Sequence, residues 1–155
     1  MSHRYRYYKA YFRFQNVVVP QGATIDSAYI KLNWEGGEEV DFLVAAVDVD
    51  DFDRPTDDTY AAHNTETTAT VSWNIPSEGS QDSGKYYKTS PDIKTIIQEI
   101  VDRTGWSSGS AIGIIIREPV GSRTSDEYRK VHGMSSTTNA SDGTRNVNQL
   151  VITHS

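Results

Sequence analysis

Apolar and polar residues alternate along most of the chain, which is the period of a β-strand. The first alternating segment has an apolar face of Tyr8, Ala10, Phe12 and Phe14, and an opposite face of Tyr7, Lys9, Tyr11, Arg13 and Gln15. A second run covers 28–34, and residues 39–49 are apolar on both faces near their middle, which predicts a central strand. Further strands are predicted at 67–73, 111–117 and 150–153, so we expect a mainly β protein.

Polar stretches separate these runs and predict loops. Residues 50–58 are acidic, residues 74–89 are polar, and residues 134–146 are rich in Ser, Thr, Asn and Gly, while 127–132 predicts one more strand. Strands joined by polar turns, without helices alternating between them, are typical of a β-sandwich. We therefore expect an antiparallel, jelly-roll-like β-sandwich, and 155 residues fit a single domain over residues 1–155.

One segment has a helical period instead. Its apolar residues recur at spacings of three and four, and they are Ile93, Ile96, Ile97, Ile100 and Val101. Ser90 can accept hydrogen bonds from the first amides, Pro91 suits the first helical position, and Gly105 suits a left-handed residue after the last turn. These signals predict a short amphipathic helix near residues 91–103, packed as a plug at one end of the sandwich.

Charge is distributed unevenly along the chain. The net charge is −6, but residues 1–25 hold four bases and no acid. The rest of the chain holds 11 bases and 21 acids, so it carries −10. An acidic body of this kind lacks the basic face that nucleic-acid binding needs. The basic N-terminal segment is either ordinary surface charge or a feature that steers contacts with neighbouring subunits.

Neither a leader sequence nor a membrane span is indicated. Residues 1–8 carry positive charge without an apolar run behind them, and no stretch reaches the roughly 20 apolar residues of a membrane helix. The chain has no cysteines, which excludes disulfides and thiolate metal sites. We therefore expect a protein that is made in the cytoplasm and leaves it only within a larger assembly.

The acidic loop is the first candidate for chemistry, and its carboxylates are Asp48, Asp50, Asp51 and Asp53. A catalytic pair of carboxylates needs an apolar pocket that raises one pKa, and this loop offers none. Calcium is the better use of the loop, since it takes several carboxylate and carbonyl oxygens, and the alternative is a solvated loop. Gly105–Gly109 matches a serine-hydrolase motif in letters alone, because a helix precedes it and a strand follows it. We expect no enzyme.

Aromatic side chains are the other candidates for binding. Trp34, Trp73 and Trp106 adjoin apolar runs, so they are expected in the core. Tyr and Arg side chains are enriched among the residues that dominate protein interfaces, and a few polar groups beside an apolar surface are also typical of ligand sites. The candidate contact residues for a protein or a glycan are Tyr7, Lys9, Tyr11, Arg13, Tyr86 and Tyr87.

Several segments resemble a known β-sandwich family. They are Tyr11–Phe14, Val19–Ile30, Val71–Asn74, Ser90–Arg103, Gly105–Gly109 and Gln149–Ile152, which together span nearly the whole chain. Their pattern, an aromatic-Arg-Phe run followed by Pro-x-Gly-Ala-x-Ile-x-x-Ala, is similar to that of the DNRLRE-type domains, a group related to some carbohydrate-binding modules. Residues 118–146 depart from this pattern, because they are longer and more polar than the family's segment.

The resemblance implies a binding or structural role without a shared catalytic set. Such domains occur in phage virion proteins, and in secreted bacterial and archaeal proteins where some bind polysaccharide. We expect a subunit of the virion, a capsid decoration, cement or tail-associated protein that contacts other protein subunits; the alternative is an extracellular carbohydrate-binding module. Family members commonly have one strand before the aromatic-Arg-Phe strand, so we expect the N-terminal strand to have an open edge or one completed by a neighbouring chain.

Overall fold

The computed structural model describes residues 9–34, 39–54, 64–77, 86–119 and 148–155. Seven strands and one helix lie in these ranges: β1 (Lys9–Phe14), β2 (Ile25–Trp34), β3 (Val40–Ala46), β4 (Val71–Ile75), β5 (Tyr86–Thr89), α1 (Lys94–Val101), β6 (Ile112–Arg117) and β7 (Gln149–His154). The strands form two antiparallel sheets. The prediction of a mainly β, sandwich-like fold with a helix is therefore confirmed for the described part of the chain.

The two sheets differ in size and in what lies at their edges. The larger sheet has the order β1-β6-β3-β4, and the smaller one has the order β5-β2-β7. β3 lies between β6 and β4, as residues 39–49 predict for a central strand. β1 pairs with β6 from Lys9 opposite Arg117 to Phe14 opposite Ile112. Among the described strands, β1 is thus an edge strand.

The main core lies between the sheets and follows the alternation in the sequence. It is built from Ala28, Ile30 and Leu32 on β2, Val44 and Ala46 on β3, Ile112, Ile114 and Ile116 on β6, and Ile96, Ile97, Ile100 and Val101 on α1. Phe12 and Phe14 of β1 pack against this cluster, as predicted, whereas Ala10 is exposed. Trp73 and Trp106 belong to the core, which confirms their predicted burial.

The helix begins three residues later than the sequence signals indicate. α1 starts at Lys94, and the Ser90 hydroxyl expected to cap it bonds to β2 instead. Ser90 Oγ accepts the Ile30 N–H at 3.0 Å, and Asp92 Oδ1 accepts the Ala28 N–H at 3.1 Å. Asp92 Oδ1 also accepts the Lys94 N–H at 2.9 Å. The segment before α1 therefore continues the sheet along β2 before the helix starts.

The end of the helix also differs from the expectation. α1 ends at Val101, and Gly105 is not among the residues with positive φ, so it is not a left-handed cap. Gly105 is needed for another reason, because a Cβ atom there would lie 2.5 Å from Asp50 Cγ. Real Cβ atoms do not come that close to another atom. A side chain at residue 105 would therefore displace the Asp50 carboxylate from its observed position.

Other expectations are corrected or lie outside the described residues. The strand predicted at 67–73 is observed at Val71–Ile75, and the loop predicted at 74–89 ends in strand β5. The strand predicted at 127–132 and the loop predicted at 134–146 both lie outside the described residues. Within the described ranges, no helix is long and apolar enough to cross a membrane.

Candidate interaction site

Side chains close most of one edge of the smaller sheet. β5 pairs only with Lys31–Trp34 of β2. Toward the start of β2, three backbone N–H groups donate to side-chain oxygens of residues in or near α1. The Ile30 N–H donates to Ser90, the Ala28 N–H to Asp92 and the Ile25 N–H to Gln98, at 2.8–3.1 Å. On the other side of β2 lies β7, which has no further described strand beside it. Among the described strands β7, like β1, is thus an edge strand, the kind of strand to which a further strand can add.

A cleft of about 550 Å³ opens between the end of β1 and β7. Its apolar lining is Phe14, Val17, Val18, Val19, Leu150 and Ile152, and its polar lining is Arg13, Gln15, Asn16, Asn148 and His154. A concave surface of this size, partly apolar with a few polar groups, is typical of a binding site. Because β1 and β7 belong to different sheets, a partner in the cleft would contact edge strands of both sheets.

One wall of the cleft, the segment after β1, is held in place by backbone hydrogen bonds. The Val17 N–H donates to Ser110 O at 3.1 Å, and the Gly109 N–H donates to Val17 O at 2.9 Å. The indole Nε1–H of the buried Trp106 donates to Val19 O at 3.0 Å. These bonds attach the wall to the turn that follows α1. The cleft is therefore preformed along this side.

Val18 projects outward from this wall and is 73% exposed, more than any other large apolar side chain among the described residues. Its neighbours Val17 and Val19 are buried, so the extended backbone leaves Val18 on the outside. Asn16, just before them, has a φ of 54°, a left-handed conformation that is uncommon for residues other than glycine and that Asn tolerates best. The turn at Asn16 thus redirects the chain from β1 and places Val18 at the rim of the cleft.

The outward face of β1 is covered, in contrast to its predicted role as an exposed contact surface. The cover is residues 47–53, which we call the strap. Tyr11 stacks on Phe52 of the strap with ring centroids 6.3 Å apart and planes at 11°. Arg13 Nε donates to Phe52 O at 2.6 Å. Of the predicted contact residues on β1, only Arg13 also lines the cleft.

Lys9, another predicted contact residue, belongs to an ion cluster on the same face. Its Nζ lies 2.7 Å from Glu66 Oε1, and Arg117 Nε lies 2.9 Å from Glu66 Oε2. Burial of Glu66 raises its pKa, but the hydrogen bonds from Lys9 and Arg117 outweigh burial, and the net effect is a lowered pKa. The cluster therefore connects β1 and β6 to the segment before β4, and the charge of Lys9 is paired with a carboxylate of the same chain.

The residues predicted to bind calcium form most of the strap, and they are Asp48, Asp50, Asp51 and Asp53. Asp48 Oδ1 accepts a hydrogen bond from Arg103 Nη1, and Asp50 Oδ1 accepts one from Arg103 Nε at 2.6 Å. The bond to Asp50 raises the pKa of the Arg103 guanidinium. Asp51 Oδ1 accepts the Ala111 N–H at 2.7 Å. Among the described residues no group of three or more acidic or His side chains is arranged to hold a metal ion.

The three remaining candidate contact residues are Tyr7, Tyr86 and Tyr87. Tyr7 lies outside the described residues. The backbones of Tyr86 and Tyr87 lie in β5, opposite Trp34 and Asn33 of β2, and not in a loop as expected. β5 and β7 are on opposite sides of β2, so the Tyr86–Tyr87 backbone is two strands from the cleft.

The cleft contains residues that the sequence reasoning missed, above all Val18, Asn148 and His154. A signal for Val18 was present, because three consecutive valines before Pro20 cannot all face one side of an extended chain. No comparable signal marks Asn148 and His154: His154 is placed by the pairing of β7 with β2, and Asn148 Oδ1 accepts the Asn33 N–H at 3.0 Å. Comparison of the chain with family models, with curated proteins and with solved structures finds no match.

Proposed function

We propose that this protein is a non-catalytic assembly subunit that contacts neighbouring protein subunits through the cleft between β1 and β7. The observation that carries the proposal is Val18, an exposed apolar side chain at the rim of a preformed cleft beside two strand edges. We further propose that the assembly is a viral particle, in which the chain is a capsid decoration, cement or tail-associated subunit made in the host cytoplasm. The resemblance to sandwich domains of phage virion proteins supports this second part.

The cleft has the composition of a protein interface. Protein interfaces have an apolar centre and a polar rim, and a few well-packed anchors supply most of the binding energy. Here Val17, Val19 and Ile152 line the apolar part, and Arg13 and His154 are polar. An extended segment of a partner that pairs with an edge strand satisfies backbone groups as well as side chains. The cleft therefore fits an extended protein segment.

The alternative proposal, a carbohydrate-binding module, has less support from the described residues. Exposed aromatic rings are the usual platform on which sugar rings stack, but Trp73 and Trp106 are only 4% and 3% exposed. Tyr11 packs on the strap, and Phe14 is the one Phe, Tyr or Trp among the described residues that line the cleft. The preformed cleft thus favours a protein partner over a glycan.

Size-exclusion chromatography with light scattering over a range of protein concentrations tests the proposal. We expect the wild-type chain to form a defined oligomer, and Val18→Asp to weaken its association at least about tenfold, because a charge replaces an apolar anchor. Ser72→Asp is the matched control, since it adds the same charge at an exposed position of β4 in the described part of the sheet.

Two outcomes would contradict assembly through the cleft. One is an oligomer that Val18→Asp and Ser72→Asp leave equally intact. The other is a chain that stays monomeric at every concentration and is retained on an insoluble polysaccharide in a pull-down, which would support the carbohydrate-binding alternative. An oligomer without polysaccharide retention would exclude that alternative. Attachment to a purified capsid or tail, measured by co-sedimentation, then tests the viral part of the proposal.

A further inference from the structure

Besides its contacts with β1, the strap is attached to the segment after α1 and to the residue just before β6. Arg103, which follows α1, binds both Asp48 and Asp50. The Ala111 N–H, just before β6, donates to Asp51 Oδ1, and the Phe52 N–H donates to Ala111 O at 2.9 Å. The attachments therefore include charged side chains at one end and a backbone bond at the other.

Two glycines make room for the strap. At Gly105 a Cβ atom would lie 2.5 Å from Asp50 Cγ, and at Gly113 of β6 a Cβ atom would lie 2.5 Å from Phe52 Cγ. These distances are shorter than real Cβ contacts. Asp50 and Phe52 thus lie in two notches, one in the turn after α1 and one in β6, where a Cβ atom would displace the strap's side chains. The position of the strap is therefore specified on both sides.

A second apolar cluster joins the strap to the outer face of the larger sheet. Val47 and Phe52 of the strap are buried in it with Ala45, Ala111 and Ile115, and Val49 of the strap and Tyr11 of β1 pack against it. Phe52 is 1% exposed and touches β1 through the Tyr11 ring and the Arg13 guanidinium. Opening of the strap would therefore uncover this cluster and would remove contacts from the edge strand β1.

We infer that the strap is a salt-sensitive lock on the edge strand β1, and that Arg103 is the positioning residue that closes it. The ion pairs of Arg103 are partly exposed, with side-chain exposures of 30% for Arg103, 30% for Asp48 and 45% for Asp50. Salt screens pairs of this kind. The packing of Phe52 does not depend on salt in this way, so the lock weakens with salt without the fold being lost. The consequence for assembly rests on the proposed role of β1 in binding partners.

Amide hydrogen exchange, followed residue by residue on the monomer at low protein concentration, tests the lock. The reporting amides are those of Phe52 and Ala111, whose bonds exist only while the strap is closed. In Arg103→Gln we expect both to exchange about tenfold faster, the size expected from the loss of two partly exposed ion pairs. Amides of β2 and β7 should keep their rates. Lys94→Gln, an exposed position of α1 with the same change in charge, should leave all these rates unchanged.

A salt titration separates an ion-pair lock from a purely structural role of Arg103, because only the lock predicts salt-dependent exchange that Arg103→Gln loses. Raising the salt concentration from about 0.05 to about 0.5 M should speed exchange of the Phe52 and Ala111 amides in the wild-type chain and have no such effect in Arg103→Gln. If salt has no effect on the wild-type amides, or if Arg103→Gln exchanges as slowly as wild type, the lock does not exist. Because the measurement uses the monomer, either result leaves the assembly proposal intact, and failure of the Val18→Asp test leaves the lock intact.

Discussion

Replacement of Gly113 by alanine tests how tightly the strap fits the sheet. The new Cβ atom would lie 2.5, 2.6 and 2.8 Å from three ring carbons of Phe52, Cγ, Cδ1 and Cδ2. These atoms are at the base of a ring that is 1% exposed, so a small rotation of the side chain does not relieve the overlap. Either Phe52 leaves its notch or the strap moves away from β6.

The expected loss of stability follows from those two possibilities. Overpacking a core costs about 1–3 kcal/mol, and loss of a buried Phe side chain costs about 3–5 kcal/mol. Alanine recovers about 0.5–1 kcal/mol relative to glycine within a strand, because the unfolded chain loses less entropy on folding. We therefore expect Gly113→Ala to lower the free energy of unfolding by about 2 kcal/mol. Urea unfolding measures this loss, and the slope of the free energy against urea concentration should not change.

A double-mutant cycle with Phe52→Ala isolates the overlap between the two side chains. Phe52→Ala alone should cost about 3–5 kcal/mol. In that background Gly113→Ala should be neutral or stabilise by about 0.5–1 kcal/mol, because the ring that opposed the new methyl group is gone. If Gly113→Ala destabilises both backgrounds equally, the two positions are not coupled and the proposed fit of Phe52 against Gly113 is wrong.

Two further predictions concern a charge and a turn. The pKa of Glu66 is lowered from its ordinary value of 4.5 by Lys9 and Arg117 against the effect of burial, so its ion pairs stabilise the fold above that pH and are lost as the pH falls through the lowered value. The free energy of unfolding, measured with urea at about pH 7 and about pH 3, should thus fall less in Glu66→Gln than in wild type. An equal fall in both proteins would contradict this. Gly22 has a φ of 70° with open space around it, so Gly22→Ala should cost about 1–2 kcal/mol and Gly22→Asn less; equal costs would point to a steric cause.

The sequence predicted the features of the fold that depend on local alternation. β6 shows this clearly, because Ile112, Ile114 and Ile116 face the main core and Ile115 faces the second cluster. A continuous apolar run such as 111–116 is typical of a strand buried on both faces, and the strap supplies the second cover. What the run could not reveal is the identity of that cover, because the strap is joined to β6 by contacts over about 60 residues of chain, such as that between Asp51 and Ala111.

The misplaced start of the helix has a related cause. Ser90 and Asp92 are good acceptors for the first N–H groups of a helix, and the same oxygen atoms are equally good acceptors for the N–H groups of a strand. The edge of β2 decides between these uses, since Ile30 and Ala28 need partners beyond the end of β5. That edge is 60 or more residues away in the sequence. Local signals therefore located the helix but not its first residue.

The intramolecular contacts of Lys9 and Arg13 change which groups a partner can recognise. The sequence favoured Lys9 and Arg13 as a basic contact surface, but Glu66 binds Lys9, and Phe52 O binds Arg13. Since the charge of Lys9 is paired with Glu66, recognition at the cleft relies mainly on Val18, the apolar lining and the strand edges, with Arg13 as a polar lining residue. Binding of this kind depends little on direct charge attraction. The part of any salt dependence of assembly that arises through the strap should therefore be lost in Arg103→Gln, whereas Val18→Asp should weaken association itself.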